Sequence, residues 1–192
     1  MDKIKSLLTM RFGKEIRTHS MIHHEELMTK LIKLAKVQSI VEIGTLHGVS
    51  AALFASLGLK VATFDIVASP LAEEIWKYLD VSSLIDYSIC RDDEEKKEIL
   101  SGRSFDVAFI DGDHHLDKAR FDFDCVKRCG FVIFHDYKPH APHFKPLADF
   151  IDSLTPQRYI FGEPGSQFAV WIAEDSNQRE NLDLLEWLKA GA

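Results

Sequence analysis

The sequence predicts a doubly wound α/β domain on a mostly parallel seven-stranded sheet, and three observations carry that prediction. Five short runs rich in β-branched and aromatic residues, SIVEIG, KVATFDIV, LIDYSIC, FDVAFID and FVIFHDY, are separated by helical patterns such as SAALFASLG, PLAEEIWKYL and KARFDFDCVKRC. Strands that alternate with helices imply parallel pairing, right-handed crossovers and a helical layer on each face. Near the C-terminus, RYIFGEPGSQFAVWIAE holds two more strand-like runs, YIF and FAVWI, with only a turn around Gly162, Pro164 and Gly165 between them. A parallel crossover needs roughly ten or more residues, so these two runs must pair as an antiparallel hairpin, giving the sheet one reversed strand.

Taken in order, the chain begins helical. MDKIKSLLTM and EELMTKLIKLAKV carry leucine and isoleucine at three- and four-residue spacing. Residues 1–37 are expected to form an N-terminal helical segment that caps a pocket or makes a dimer contact. Residues 38–192 form the ligand-binding part of one structural domain. A length of 192 residues suits a single domain, and 46% hydrophobic content supplies a core. The net charge of −7, with no long lysine or arginine run, argues against nucleic acid and for a small-molecule or protein partner. With no signal-peptide pattern and no membrane-length apolar run, the expected location is cytoplasmic, with reduced thiols. Cys125 and Cys129 lie one helical turn apart, which suits either half of a metal site or ordinary thiols.

In an open α/β sheet, ligands bind outside the carboxyl ends of the strands. The loop after the first strand, VEIGTLHGVS (41–50), has Gly44 and Gly48 flanking a tight turn before a helix start whose N–H groups suit an anion. Its E-x-G-x-x-x-G spacing does not fit the G-x-G-x-x-G pyrophosphate cradle. Glu42 would repel phosphate yet attract an ammonium, directly or through water. Asp65 ends the second strand, where a carboxylate can accept both hydroxyls of a ribose. A ligand with an amine, a carboxylate and a nucleoside meets these demands, and S-adenosylmethionine (SAM) is one.

VEIGTLHGVS, Asp65, FIDGDHH and VIFHDY resemble the signature positions of class I SAM-dependent methyltransferases, a Rossmann-like fold. The similarity is closest to small-molecule O-methyltransferases of the catechol and macrolide-sugar types, and it covers roughly residues 38–174, terminal hairpin included. The resemblance implies that Glu42, Gly44, Thr45 and Gly48 shape the methionine pocket, with Ser50 near its carboxylate. It implies that Asp65 holds the ribose, while Ile66 and the turn at Cys90, Arg91 and Asp92 flank the adenine.

Methyl transfer from a sulfonium is an in-line displacement, so the acceptor must be aligned and made nucleophilic, by a metal or by a general base. FIDGDHH and FHDY are candidates for both. Asp111 and Asp136 end the fourth and fifth strands, and two carboxylates at adjacent strand ends make half of an oxygen-rich Mg²⁺ site. In metal-dependent members of the resembled families, positions matching Asp111 and residues 135–137 bind the ion. Here His135 and Asp136 stand where such members carry acidic or amide pairs, and the imidazole admits Mn²⁺, Fe²⁺ or Zn²⁺ as well as Mg²⁺. His114 occupies the DGxH position that resembles the base of the sugar methyltransferases, and an unperturbed imidazole titrates near ~6.5. Asp111 contributes to both the cofactor side and the reaction centre.

Asp113 and His115 read as loop residues, and Asp117 as a helix N-terminal charge. His140 and His143 line the acceptor pocket, complete a metal shell or lie at the surface. His19, His23 and His24 are substrate-side candidates on the N-terminal segment. The expected activity is SAM-dependent O-methylation of a small-molecule hydroxyl, with a homodimer as the partner state. The competing readings are a noncatalytic nucleoside-binding protein of the same fold and an NAD-dependent oxidoreductase, the latter opposed by the missing fingerprint and by the hairpin.

Overall fold

The computed structural model describes residues 3–13, 20–155, 157–163 and 166–190. Its strands are β1 (Ser39–Ile43), β2 (Lys60–Asp65), β3 (Ile85–Ile89), β4 (Val107–Ile110), β5 (Phe131–Tyr137), β6 (Gln157–Glu163) and β7 (Ser166–Ile172). They form one sheet in the order β3-β2-β1-β4-β5-β7-β6. The first five pair in parallel, and β7 lies antiparallel between β5 and β6, so the hairpin supplies the single reversed strand. The strand order changes direction beside β1, which opens a crevice between the carboxyl ends of β1 and β4.

The helices among the described residues are α1 (Lys3–Phe12), α2 (Ser20–His23), α3 (Glu25–Ala35), α4 (Val49–Ser56), α5 (Pro70–Tyr78), α6 (Asp93–Ser101), α7 (Leu116–Val126), α8 (Lys145–Ser153) and α9 (Leu182–Lys189). Their ends follow from local chemistry. Ser69 caps α5, its side chain accepting from the Ala72 N–H, with Pro70 in the first turn. Asp92 caps α6 by accepting from the Glu95 N–H. In α3, Met28, Leu31, Ile32 and Ala35 form one buried stripe, and the helix stops where Lys36 turns left-handed.

Neighbouring residues of each central strand serve opposite faces. Ile40, Val107, Phe109, Ile133 and Val170 join the core shared with α1, α3, α4, α5 and α9. Val41, Ala108, Ile110, Val132 and Ala169 join the core under α6, α7 and α8. This period-two division, apolar on both sides, is what a sheet buried between two helical layers requires. Each fully buried aromatic such as Phe109 or Phe134 contributes about 1.5–3 kcal/mol of transfer free energy. Among the described residues no helix is long and apolar enough to cross a membrane.

Candidate active site

One cavity of about 540 Å³ opens at the carboxyl ends of β1, β2, β4 and β5. Gly44 forms its floor. With φ at +99°, a side chain there would place Cβ 2.2 Å from the Asp111 carbonyl oxygen, so only glycine lets the loop after β1 lie against the end of β4. Gly48 meets a different demand: a Cβ would come within 2.7 Å of Ala72 and Trp76, and the Trp76 indole donates to the Gly48 carbonyl at 2.8 Å. Gly48 therefore seats α4 against α5 and does not line the cavity.

Beneath the loop runs a buried hydroxyl chain. The Thr63 hydroxyl donates to Glu42 Oε2 at 2.5 Å and lies 2.6 Å from the Thr45 hydroxyl. Glu42 is fully buried, and desolvation pushes its carboxyl up to about 8 despite lowering contributions from Ser50 and Thr63. It sits under the cavity wall, while Thr45 and Ser50 reach the wall itself.

Asp65 organises the loop. Its Oδ2 accepts from the backbone N–H groups of Thr45 (3.0 Å) and Leu46 (2.8 Å), and Oδ1 from those of Ile66 (2.7 Å) and Val67 (3.3 Å). One carboxylate thereby holds two strand-end turns together and still lines the cavity. Leu46, Ile66 and Val67 are exposed apolar residues beside it.

At the other side, Asp111, His114, His135 and Asp136 converge, each offering a ligand atom within 4.8 Å of all the others. His135 and Asp136 are consecutive on β5, and in a regular strand they would leave opposite faces. The β5–β7 register shifts between Phe134 and Tyr137, and Asp136 takes φ of +58°. This bulge brings both side chains to one point, at a backbone cost characteristic of functional sites. His135 packs edge-on against Phe168, and its Nδ1 is 2.8 Å from Asp111 Oδ1. Burial opposes protonation of His135, but the hydrogen bond to Asp111 and the two carboxylate charges outweigh it and raise its pKa. Desolvation of Asp136 is outweighed in turn by His135 and by the Lys138 ammonium at 2.5 Å, which lower its pKa. His114 rests edge-on against Phe144, and its Nε2 lies 3.4 Å from Asp136 Oδ2 and 3.9 Å from Asp111 Oδ1. That nitrogen is buried and makes no hydrogen bond among the described residues.

The remaining sequence candidates separate. Ile66, Cys90 and Asp92 line the far end of the cavity, with Asp92 committed as the α6 cap. Arg91 turns outward into a pair with Glu95 and is not in the wall. Asp113 lines the cavity but is tied to the His115 ring at 2.5 Å at its exposed edge, and Asp117 occupies the first turn of α7. His140 and His143 are exposed and stand outside the four-residue cluster. His24 packs against Phe168, His23 is exposed, and His19 lies outside the described residues. Cys125 and Cys129 are free thiols, also outside the cluster. Sequence reasoning missed Lys138 and a buried pair in the cavity wall, Lys96 with Asp122. A carboxylate on the apolar stripe of α7, between Ala119 and Phe123, was the available signal for the latter.

A family model described as a methyltransferase domain matches residues 41–137. No curated protein matches the chain. Among solved structures, an O-methyltransferase from Bacillus cereus in complex with S-adenosylhomocysteine (SAH) is similar at 16% identity and TM-score 0.65, over 88% of this chain and 90% of that one. TomG from Streptomyces achromogenes, an O-methyltransferase involved in tomaymycin synthesis and solved with SAM, is 16% identical with TM-score 0.65, over 90% of this chain and 91% of that one. The SAH-bound methyltransferase PaMTH1 of Podospora anserina is 15% identical, also with TM-score 0.65, over 89% and 86% of the two chains. At these identities the likeness establishes the shared fold.

Proposed function

The chain belongs to the methyltransferase-domain family, and from that premise we propose that it transfers the methyl group of SAM to a hydroxyl oxygen of a small-molecule acceptor. The observation that carries this reading is the sharing of one cavity by Asp65 and the Asp111–His114–His135–Asp136 cluster. A nucleoside-binding carboxylate and a reaction centre thus face the same space.

Asp65 and the turns it holds receive the ribose, and Gly44 leaves the backbone clear for the methionine arm. Ser50, whose hydroxyl bonds Glu42, stands at the start of α4, where the first-turn N–H groups of the helix face the methionine carboxylate. Glu42 supports this wall from below through Thr63 and Thr45.

The donor set of two carboxylates and an imidazole fits a divalent cation, and a buried His114 nitrogen without a hydrogen bond faces it. Asp111, His135 and Asp136 would hold such an ion, and imidazole favours Mn²⁺, Fe²⁺ or Zn²⁺ over Mg²⁺. A bound cation supplies positive charge that stabilises an alkoxide or phenolate. His114 accepts the acceptor's hydroxyl proton at Nε2, and Phe144 packs the ring in place. Residues 1–37 contribute no side chain to the cavity wall among the described residues, so their part is support of α4 and β7 or contact with a second copy.

The test is incubation with SAM carrying a labelled methyl and a panel of phenols, catechols and sugars, with and without Mn²⁺. Label on an acceptor oxygen supports the reading. Tight SAH binding with no transfer to any acceptor would favour a noncatalytic nucleoside-binding protein.

A further inference from the structure

We propose that the buried Lys96–Asp122 pair reads the edge of the adenine ring and selects an adenine nucleoside over one with a 6-oxo purine. The inference rests on the SAM reading above.

Both side chains line the cavity, and both are largely removed from water, Lys96 to 13% exposure and Asp122 to 2%. Taking two opposite charges out of water costs about as much as their attraction returns, so apolar residues would join α6 to α7 equally well. Asp122 nevertheless occupies a position on the buried stripe of α7, among Ala119, Phe123 and Val126. Its Oδ1 receives the Lys96 ammonium. Its Oδ2 lies toward Gly112, 3.4 Å from where a Cβ there would stand. The other charges at the pair are Asp93, 3.5 Å from the Lys96 ammonium, and Lys118, which Asp93 also holds.

Position in the cavity points to the base. With the ribose at Asp65 and the methionine arm running toward Asp111 and Asp136, the purine must extend the opposite way. Cys90, whose N–H donates to the Asp65 carbonyl, lines the cavity beside the ribose site, and Asp92, Lys96 and Asp122 line it as well. Adenine presents an amino donor at position 6 beside a ring-nitrogen acceptor at position 1. A carboxylate accepts from the first and an ammonium donates to the second. A 6-oxo purine reverses both, so a fixed Lys–Asp pair would face oxygen with carboxylate and N–H with ammonium. Sites built around such hydrogen bonds reject mismatched analogues strongly, because buried partners are left unpaired.

The experiment is calorimetric titration of the full chain with SAH and with its 6-oxo analogue, S-inosylhomocysteine. The wild type is expected to favour SAH by at least about tenfold. The double variant Lys96→Met, Asp122→Leu, which keeps the helices joined by apolar contact, is expected to lose most of that preference while melting near the wild-type temperature. Asp122→Asn, which preserves size, serves if the double variant does not fold, and it too is expected to narrow the ratio. An unchanged ratio in a folded variant, or a wild type without preference, overturns the inference and leaves the SAM reading standing. A wild type that binds neither ligand overturns the SAM reading itself.

Discussion

Nδ1 of His135 lies 2.8 Å from Oδ1 of Asp111, joining the ends of β5 and β4 at a buried point beside the cavity. His135 keeps the face of Ile133 and Asp111 that of Phe109, so regular alternation makes this contact, while the bulge at Asp136 adds the second carboxylate and is where backbone strain and proposed chemistry coincide.

Asp136 provides the first prediction. A non-glycine residue at φ of +58° costs roughly 1–2 kcal/mol, so Asp136→Gly should be more stable than Asp136→Ala by about 1 kcal/mol, the reverse of the usual order in a strand. Both variants should lose methyl transfer while keeping SAH affinity. Urea unfolding of the pair checks the first part, and an alanine variant as stable as the glycine variant would show that the bulge stores no strain.

His114 separates proton transfer from metal binding. If its Nε2 takes the acceptor's proton, His114→Gln should cut turnover by about 100-fold or more, within the usual range for a general base. Mn²⁺ affinity should stay near wild type, because Asp111, His135 and Asp136 remain. A large loss of Mn²⁺ affinity would make His114 a ligand, and surviving turnover would remove it from the chemistry.

Gly44 and Gly58 both have positive φ, at +99° and +89°, but only Gly44 faces the Asp111 backbone at 2.2 Å from an ideal Cβ. Gly58→Ala should cost only the conformational penalty of about 1–2 kcal/mol. Gly44→Ala adds a backbone clash and should cost about 3 kcal/mol or more, with SAH binding lost in whatever folds. Equal melting temperatures for the two variants would contradict the close approach of β1 and β4 ends.

Glu42 makes stability depend on pH. Its carboxyl holds its proton up to about 8 in the fold and 4.5 is its ordinary value, so between these the folded chain binds more protons than the unfolded one. Stability contributed by this group is complete below the ordinary value and declines as pH rises toward about 8, by up to about 1.4 kcal/mol per unit. Glu42→Gln should flatten that decline, as urea midpoints across the window will report. Parallel profiles for the two proteins would mean that Glu42 is ionised in the fold.

Much of this was readable from residues alone. Alternating apolar runs specified the parallel sheet, and the short spacing between YIF and FAVWI specified the reversed strand that lies at β7. Asp65, Asp111 and Asp136 stood out because strand ends are where ligands meet an α/β sheet. What stayed hidden depended on side-chain direction. Nothing in FHDY marks a left-handed aspartate, so the convergence of His135 and Asp136 was not derivable from their adjacency. Glu42 reads as a loop acid until Thr63, on a neighbouring strand, is placed beside it. Gly48 reads as a ligand glycine until Trp76, far along the chain, fills the space beneath it.

The central claim is that this cavity binds the SAM scaffold through Asp65, and calorimetric titration with SAH tests it most directly. The account predicts saturable one-to-one binding of SAH, no binding of NAD, and an affinity for SAH weakened by about tenfold or more in Asp65→Ala, which loses charge-assisted hydrogen bonds. Absence of SAH binding at millimolar concentration, or undiminished affinity in folded Asp65→Ala, would contradict it.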